Sequence, residues 1–75
     1  MARMSRRFVV CLSNEGYEVS LERRKIYVAL PDESAGKHRL VRVIDESGED
    51  YLYPAAMFAA VELPPSLGRA MLAPA

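Results

Sequence analysis

Seventy-five residues make a single domain, near the lower end of what one hydrophobic core holds together unaided. Apolar content of 51% with 27% charged residues is ordinary globular composition, which excludes a disordered chain. The longest apolar runs, Phe8–Leu12 and the Pro54-interrupted Tyr53–Val61, fall well short of the roughly 18 residues of a transmembrane helix, so no membrane partner is expected.

The chain opens on a basic stretch, Met1 to Arg7, followed by an apolar run too short for a signal peptide that breaks into Ser13-Asn14-Glu15-Gly16. Cytoplasmic residence is the expectation, with residues 1–6 a flexible basic arm. Phe8-Val9-Val10-Cys11-Leu12 is β-branched and aromatic and reads as a first strand. Tyr17, Val19 and Leu21 then alternate with Glu18, Ser20 and Glu22, which predicts an extended segment with one face buried. Lys25 to Leu30 is a second clear strand, stopped by Pro31-Asp32, and residues 32–39 form a polar loop with room for one helical turn.

Leu40-Val41-Arg42-Val43-Ile44 is the next strand, and Ser47-Gly48 marks a tight hairpin that returns through Tyr51-Leu52-Tyr53. Two registers fit this hairpin. A two- or four-residue turn sets Arg42 beside Tyr53 on the outer face, making Arg42, Ile44, Tyr51 and Tyr53 an exposed patch. A three-residue loop with left-handed Gly48 turns Tyr51 and Tyr53 inward with Val43 and Val41. Pro54 ends the strand, Ala55 to Phe58 suits a 3₁₀ turn, and Ala59 to Leu63 makes a last strand halted by Pro64-Pro65. In the tail, residues 64–75, Leu67 and Met71 share a face over about two helical turns.

Little in the chain points to catalysis. A nucleophile needs a base within reach, and the lone His38 sits in a polar loop far in sequence from Cys11, which reads as a buried structural thiol. One Cys and one His cannot build a structural zinc site, and Asp45, Glu46, Glu49 and Asp50 read as a solvated turn tip rather than a cation loop. The glycines at 16, 36, 48 and 68 are too scattered for a phosphate loop. No catalytic residue, metal or cofactor is expected.

The order of strand, long loop, strand, loop, hairpin, Pro-led turn and final strand resembles the SH3-like barrel superfold over residues 7–63. Tyr53-Pro54-Ala55-Ala56-Met57-Phe58-Ala59-Ala60-Val61 is similar to the Pro, 3₁₀, aromatic, Val ending of SH3 domains. The stretch from Arg42 to Pro54 also resembles a group of small uncharacterised bacterial proteins of this build, which implies a fold and no function. The chain has no Trp and no Ala-Leu-Tyr-Asp-Tyr motif, and Phe58 stands four residues after Pro54 rather than three, so proline-motif recognition does not follow.

The reading is therefore a mainly β chain, a small five-stranded SH3-like barrel with a 3₁₀ turn before the last strand and a short C-terminal helix. Its expected role is non-catalytic, an interaction module or accessory subunit that docks on another protein. The expected docking residues are Tyr17, Arg42, Tyr51, Tyr53, Pro54 and Met57, with the acidic residues 45–50 steering a basic partner. The alternative is a nucleic-acid-binding module using Arg23, Arg24, Lys25, Lys37, Arg39 and Arg42, which requires these six side chains to converge on one face. Zero net charge counts against it, because dedicated nucleic-acid binders of this size are usually strongly basic.

Overall fold

The computed structural model describes residues 7–72, so the expected N-terminal arm lies outside the described residues. Five antiparallel strands form one sheet: β1 (Arg7–Cys11), β2 (Ile26–Leu30), β3 (Leu40–Ile44), β4 (Asp50–Pro54) and β5 (Phe58–Val61). Their order across the sheet is β4-β3-β2-β1-β5. A five-residue helix α1 (Glu33–Lys37) fills the polar loop, a 3₁₀ turn (Ala55–Met57) precedes β5, and α2 (Pro65–Leu72) follows it. The architecture is thus mainly β, as the punctuation by Pro31, Pro54 and Pro64 implies.

The sheet is not flat. β4 and β5 are its two edges, and four strand spacings of a flat sheet would part them by roughly 19 Å. Instead the Tyr53 and Phe58 rings, one from each edge, meet with centroids 6.2 Å apart. That contact requires the sheet to curl around a shared core, and Val9, Cys11, Tyr27, Ala29 and Val43 fill it between those rings. Alternate residues of each strand supply this core, the period-2 pattern of a sheet with one buried face.

The loop from residue 12 to residue 25 departs from the sequence expectation. Residues 17–21 do not form an extended segment: the Tyr17 carbonyl accepts from the N–H groups of both Ser20 and Leu21, each at 2.9 Å. This is one helical turn. It sets Tyr17 and Leu21 on one side and throws Val19 into solvent at 95% exposure, while Leu21 is fully buried. The Asn14 side-chain amide pins the turn by donating to the Leu21 carbonyl at 3.0 Å.

The hairpin takes the three-residue loop. Val43 faces Tyr51 and Val41 faces Tyr53 across β3 and β4, and Gly48 adopts φ +86°. Asp45 N–H donates to Glu49 O at 3.0 Å, and Gly48 N–H donates to Asp45 O at 2.9 Å, closing residues 46–48. The patch of Arg42, Ile44, Tyr51 and Tyr53 is thereby overturned, because Arg42 points to the face opposite the tyrosines.

The tail forms α2, but its packing face is not the one joining Leu67 to Met71. Gly68 is the buried position of the helix, and a Cβ placed there would lie 3.4 Å from the Phe8 ring. Leu67 and Met71 are both exposed.

Candidate functional site

Two consecutive carboxylates organise the hairpin end of the sheet. Asp45 continues the inward alternation of Val41 and Val43, so its side chain points to the core side and is buried. Its Oδ1 accepts from Ser47 N–H at 2.9 Å and Ser47 Oγ at 2.5 Å, and its Oδ2 accepts from the Tyr53 hydroxyl at 2.5 Å. Burial alone would raise the Asp45 carboxyl, but the Ser47 and Tyr53 hydrogen bonds outweigh it and hold the group below its ordinary value. Burial and the same Asp45 bond push the Tyr53 phenol up to about 12.

Glu46 makes a parallel connection. Its Oε2 accepts from the buried Tyr27 hydroxyl at 2.5 Å and from Lys25 Nζ at 2.7 Å, and the Tyr27 oxygen in turn accepts from Glu22 N–H at 2.7 Å. Hydrogen bonds from Lys25, then Tyr27, lower the Glu46 carboxyl. The Glu46 N–H also donates to Ser20 O at 3.0 Å, tying the hairpin to the long loop. These two acids are therefore structural clasps rather than a solvated tip. Among the described residues, no three His, Cys, Asp or Glu side chains gather closely enough to hold a metal ion.

Beside the Asp45 clasp lies a cleft of about 380 Å³, lined by Tyr17, Ser20, Asp45, Ser47, Tyr51, Leu52 and Tyr53. The helical turn of the long loop delivers Tyr17, whose ring stands edge-on to Tyr53 with centroids 5.0 Å apart and planes at 84°. Tyr53 is the floor, at 3% exposure, whereas Tyr17 and Tyr51 are the free walls at 39% and 49%. The Tyr51 hydroxyl donates to Glu49 Oε1 at 3.0 Å, which raises the Tyr51 phenol and sets a carboxylate at the rim.

The fold thus brings together three of the six expected docking residues. Tyr17, Tyr51 and Tyr53 converge, while Met57 packs partly against the core and Pro54 is half-buried at the end of β4. Arg42 faces the other way and is held in two ion pairs: its Nε donates to Asp32 Oδ2 at 2.8 Å and its Nη1 to Asp50 Oδ2 at 2.9 Å. Asp32 is also the N-cap of α1, its Oδ1 accepting from Ala35 N–H at 3.0 Å. Arg42 is a strut between α1, β3 and β4.

The six basic residues of the nucleic-acid alternative do not converge. Arg23, Arg24 and Lys25 lead into the start of β2, whereas Lys37 and Arg39 lead into the start of β3. These strands are antiparallel, so the two groups sit at opposite ends, roughly 17 Å apart along a five-residue strand. Lys25 and Arg42 are moreover held in ion pairs. Cys11 and His38 are separated in the same way: the thiol is fully buried at the end of β1, and His38 caps α1 just before β3 begins. Burial pushes the Cys11 thiol up, against smaller lowering effects of the Ser13 backbone and the Arg23 charge.

Sequence reasoning missed Ser20, Asp45, Ser47 and Leu52 as cleft residues. An Asp followed two residues later by Ser is the signal for an Asx turn, and it could have placed Asp45 and Ser47 together. No helix among the described residues is long and apolar enough to cross a membrane. No family model matches the chain, and neither does any curated protein or solved structure.

Proposed function

We propose that the protein is a small, non-catalytic interaction module that docks on a partner protein through the Tyr17–Tyr51–Tyr53 cleft. The observation that carries this reading is the convergence of three tyrosines, from two segments far apart in sequence, on one open concavity. Two of them, Tyr17 and Tyr51, are exposed, and a phenol combines an apolar ring with a hydrogen-bonding hydroxyl, the composition of an interface anchor. The strand order and the 3₁₀ turn before β5 support an SH3-like barrel. The non-catalytic reading draws support from the burial of Cys11 and its placement away from His38.

Tyr51→Ala is the variant of choice, because Tyr53 is core and its loss would unfold the cleft floor. The tagged full chain is used for pull-down from native lysate, half of it treated with nuclease. The expected result is one protein retained after nuclease by the parent chain and lost by Tyr51→Ala, with the variant's circular dichroism unchanged. Proteins that vanish with nuclease, or that Tyr51→Ala retains in full, would overturn the reading.

A further inference from the structure

The cleft carries a chemical preference for its occupant. Residues 13–21, which supply Tyr17 and Ser20, hold two carboxylates, and residues 43–53, which supply the remaining lining, hold four. Neither segment contains a lysine or an arginine. Glu46 and Asp50 are answered by Lys25 and Arg42. Among the described residues, the Asp45 carboxylate accepts from neutral donors alone, and the Glu49 side chain meets only the Tyr51 phenol and that of Glu18 only a backbone N–H, from Gly16 at 3.2 Å. Among the described residues, the aromatic concavity thus lies beside an excess of negative charge.

We infer that the occupant is an arginine-bearing, extended segment of the partner, laid along the edge of β4 with a guanidinium between the Tyr17 and Tyr51 rings. This rests on the docking reading above. Two features select arginine. The Asp45 oxygens are already committed to Ser47 and Tyr53, so a cation is recognised by ring faces and by field rather than by a direct fork on that carboxylate. A planar, weakly hydrated guanidinium stacks on a phenol and keeps its N–H groups free for the rim, which a compact ammonium does less well. The extended conformation follows from β4 itself: it ends the sheet, so its outer edge has no strand partner among the described residues. A segment paired there presents alternate side chains to the cleft.

The test uses the full chain, labelled with nitrogen-15, and two nine-residue peptides. One alternates arginine with alanine; the other carries citrulline, which has nearly the same shape and no charge, at every arginine. The expected result is that the arginine peptide moves amide signals of residues 17–20 and 45–53. It binds at least tenfold more tightly than the citrulline peptide and weakens with added salt. Tyr51→Ala and Glu49→Gln, both at exposed positions, each weaken the arginine peptide at least threefold while leaving signals of β1 and β2 in place. Equal binding of the two peptides at the cleft would overturn the arginine preference and leave the docking reading intact. Signals moving only elsewhere would overturn the preference too. If pull-down is then also insensitive to Tyr51→Ala, the docking reading falls with it.

Discussion

Removing the Asp45 carboxylate is expected to cost the protein a large part of its stability. Asp45→Ala deletes three acceptor contacts and leaves the hydroxyl of the buried Tyr53 without its partner. An orphaned buried donor costs about 1–3 kcal/mol, and the lost turn contacts of Ser47 add about 1 kcal/mol. The sum, about 3 kcal/mol, is over half of the roughly 5 kcal/mol expected for so short a domain. Tyr53→Phe leaves Asp45 with its two Ser47 donors and is expected to cost less, about 1–2 kcal/mol. The double variant should cost less than the two singles added, because no donor is then orphaned. Urea unfolding followed by circular dichroism measures each value, with an unchanged slope on denaturant confirming a stability effect. Stability should also drain away in acid. Asp45, Glu46 and Asp32 all sit below their ordinary values in the fold, so the unfolded chain takes up protons first as pH falls. Their contribution is present above the ordinary carboxylate range and is lost as pH drops through the folded values. Asp45→Asn should flatten that decline. If Asp45→Ala lies within about 0.5 kcal/mol of the parent, or the two single costs simply add, the clasp is not a coupled unit.

Arg24 and Arg39 both hold positive φ, at 69° and 60°, so glycine at either position should stabilise the fold by about 0.5–1 kcal/mol, additively, as read by thermal unfolding. The buried tyrosines reverse the acid argument at high pH. Burial, then the Asp45 bond, holds Tyr53 protonated up to about 12, and Tyr27 is also raised, so stability should fall above about pH 10. The slope is about 1.4 kcal/mol per pH unit for each group, checked by urea unfolding between about pH 8 and about pH 11. Gly68→Ala adds a methyl at ordinary contact distance from Phe8 and improves helix propensity, which predicts a gain of about 0.5–1 kcal/mol. Gly68→Leu cannot fit against the ring and should release α2, seen as faster amide exchange in residues 65–72.

The strands were legible because β-branched and aromatic runs stand between proline and glycine punctuation. Residues 17–21 were not, for a specific reason. Tyr17 and Leu21 are four apart, which satisfies a period of two and a helical turn equally well, so only Val19 separates the readings. The hairpin register was left open by Gly48, whose positive φ serves turns of more than one length. Side-chain chemistry accompanies the choice: in the observed register Asp45 closes on Ser47 and reaches Tyr53. Of the site, the tyrosines were legible as residue types favoured at interfaces. Their sorting into floor and walls was not, since it depends on that register. Arg42 was misplaced for the same cause, because one residue of slip exchanges the two faces of β4 relative to β3.

The central claim, that the tyrosine cleft is where the partner sits, is tested most directly by photo-crosslinking in the full chain. A photoreactive phenylalanine analogue is placed at Tyr51 on the cleft wall, and in a second chain at the equally exposed Leu67 on α2. The account predicts one dominant crosslinked protein from position 51, competed by excess unlabelled parent chain, and none from position 67. Crosslinks from position 67 with none from position 51 would contradict it.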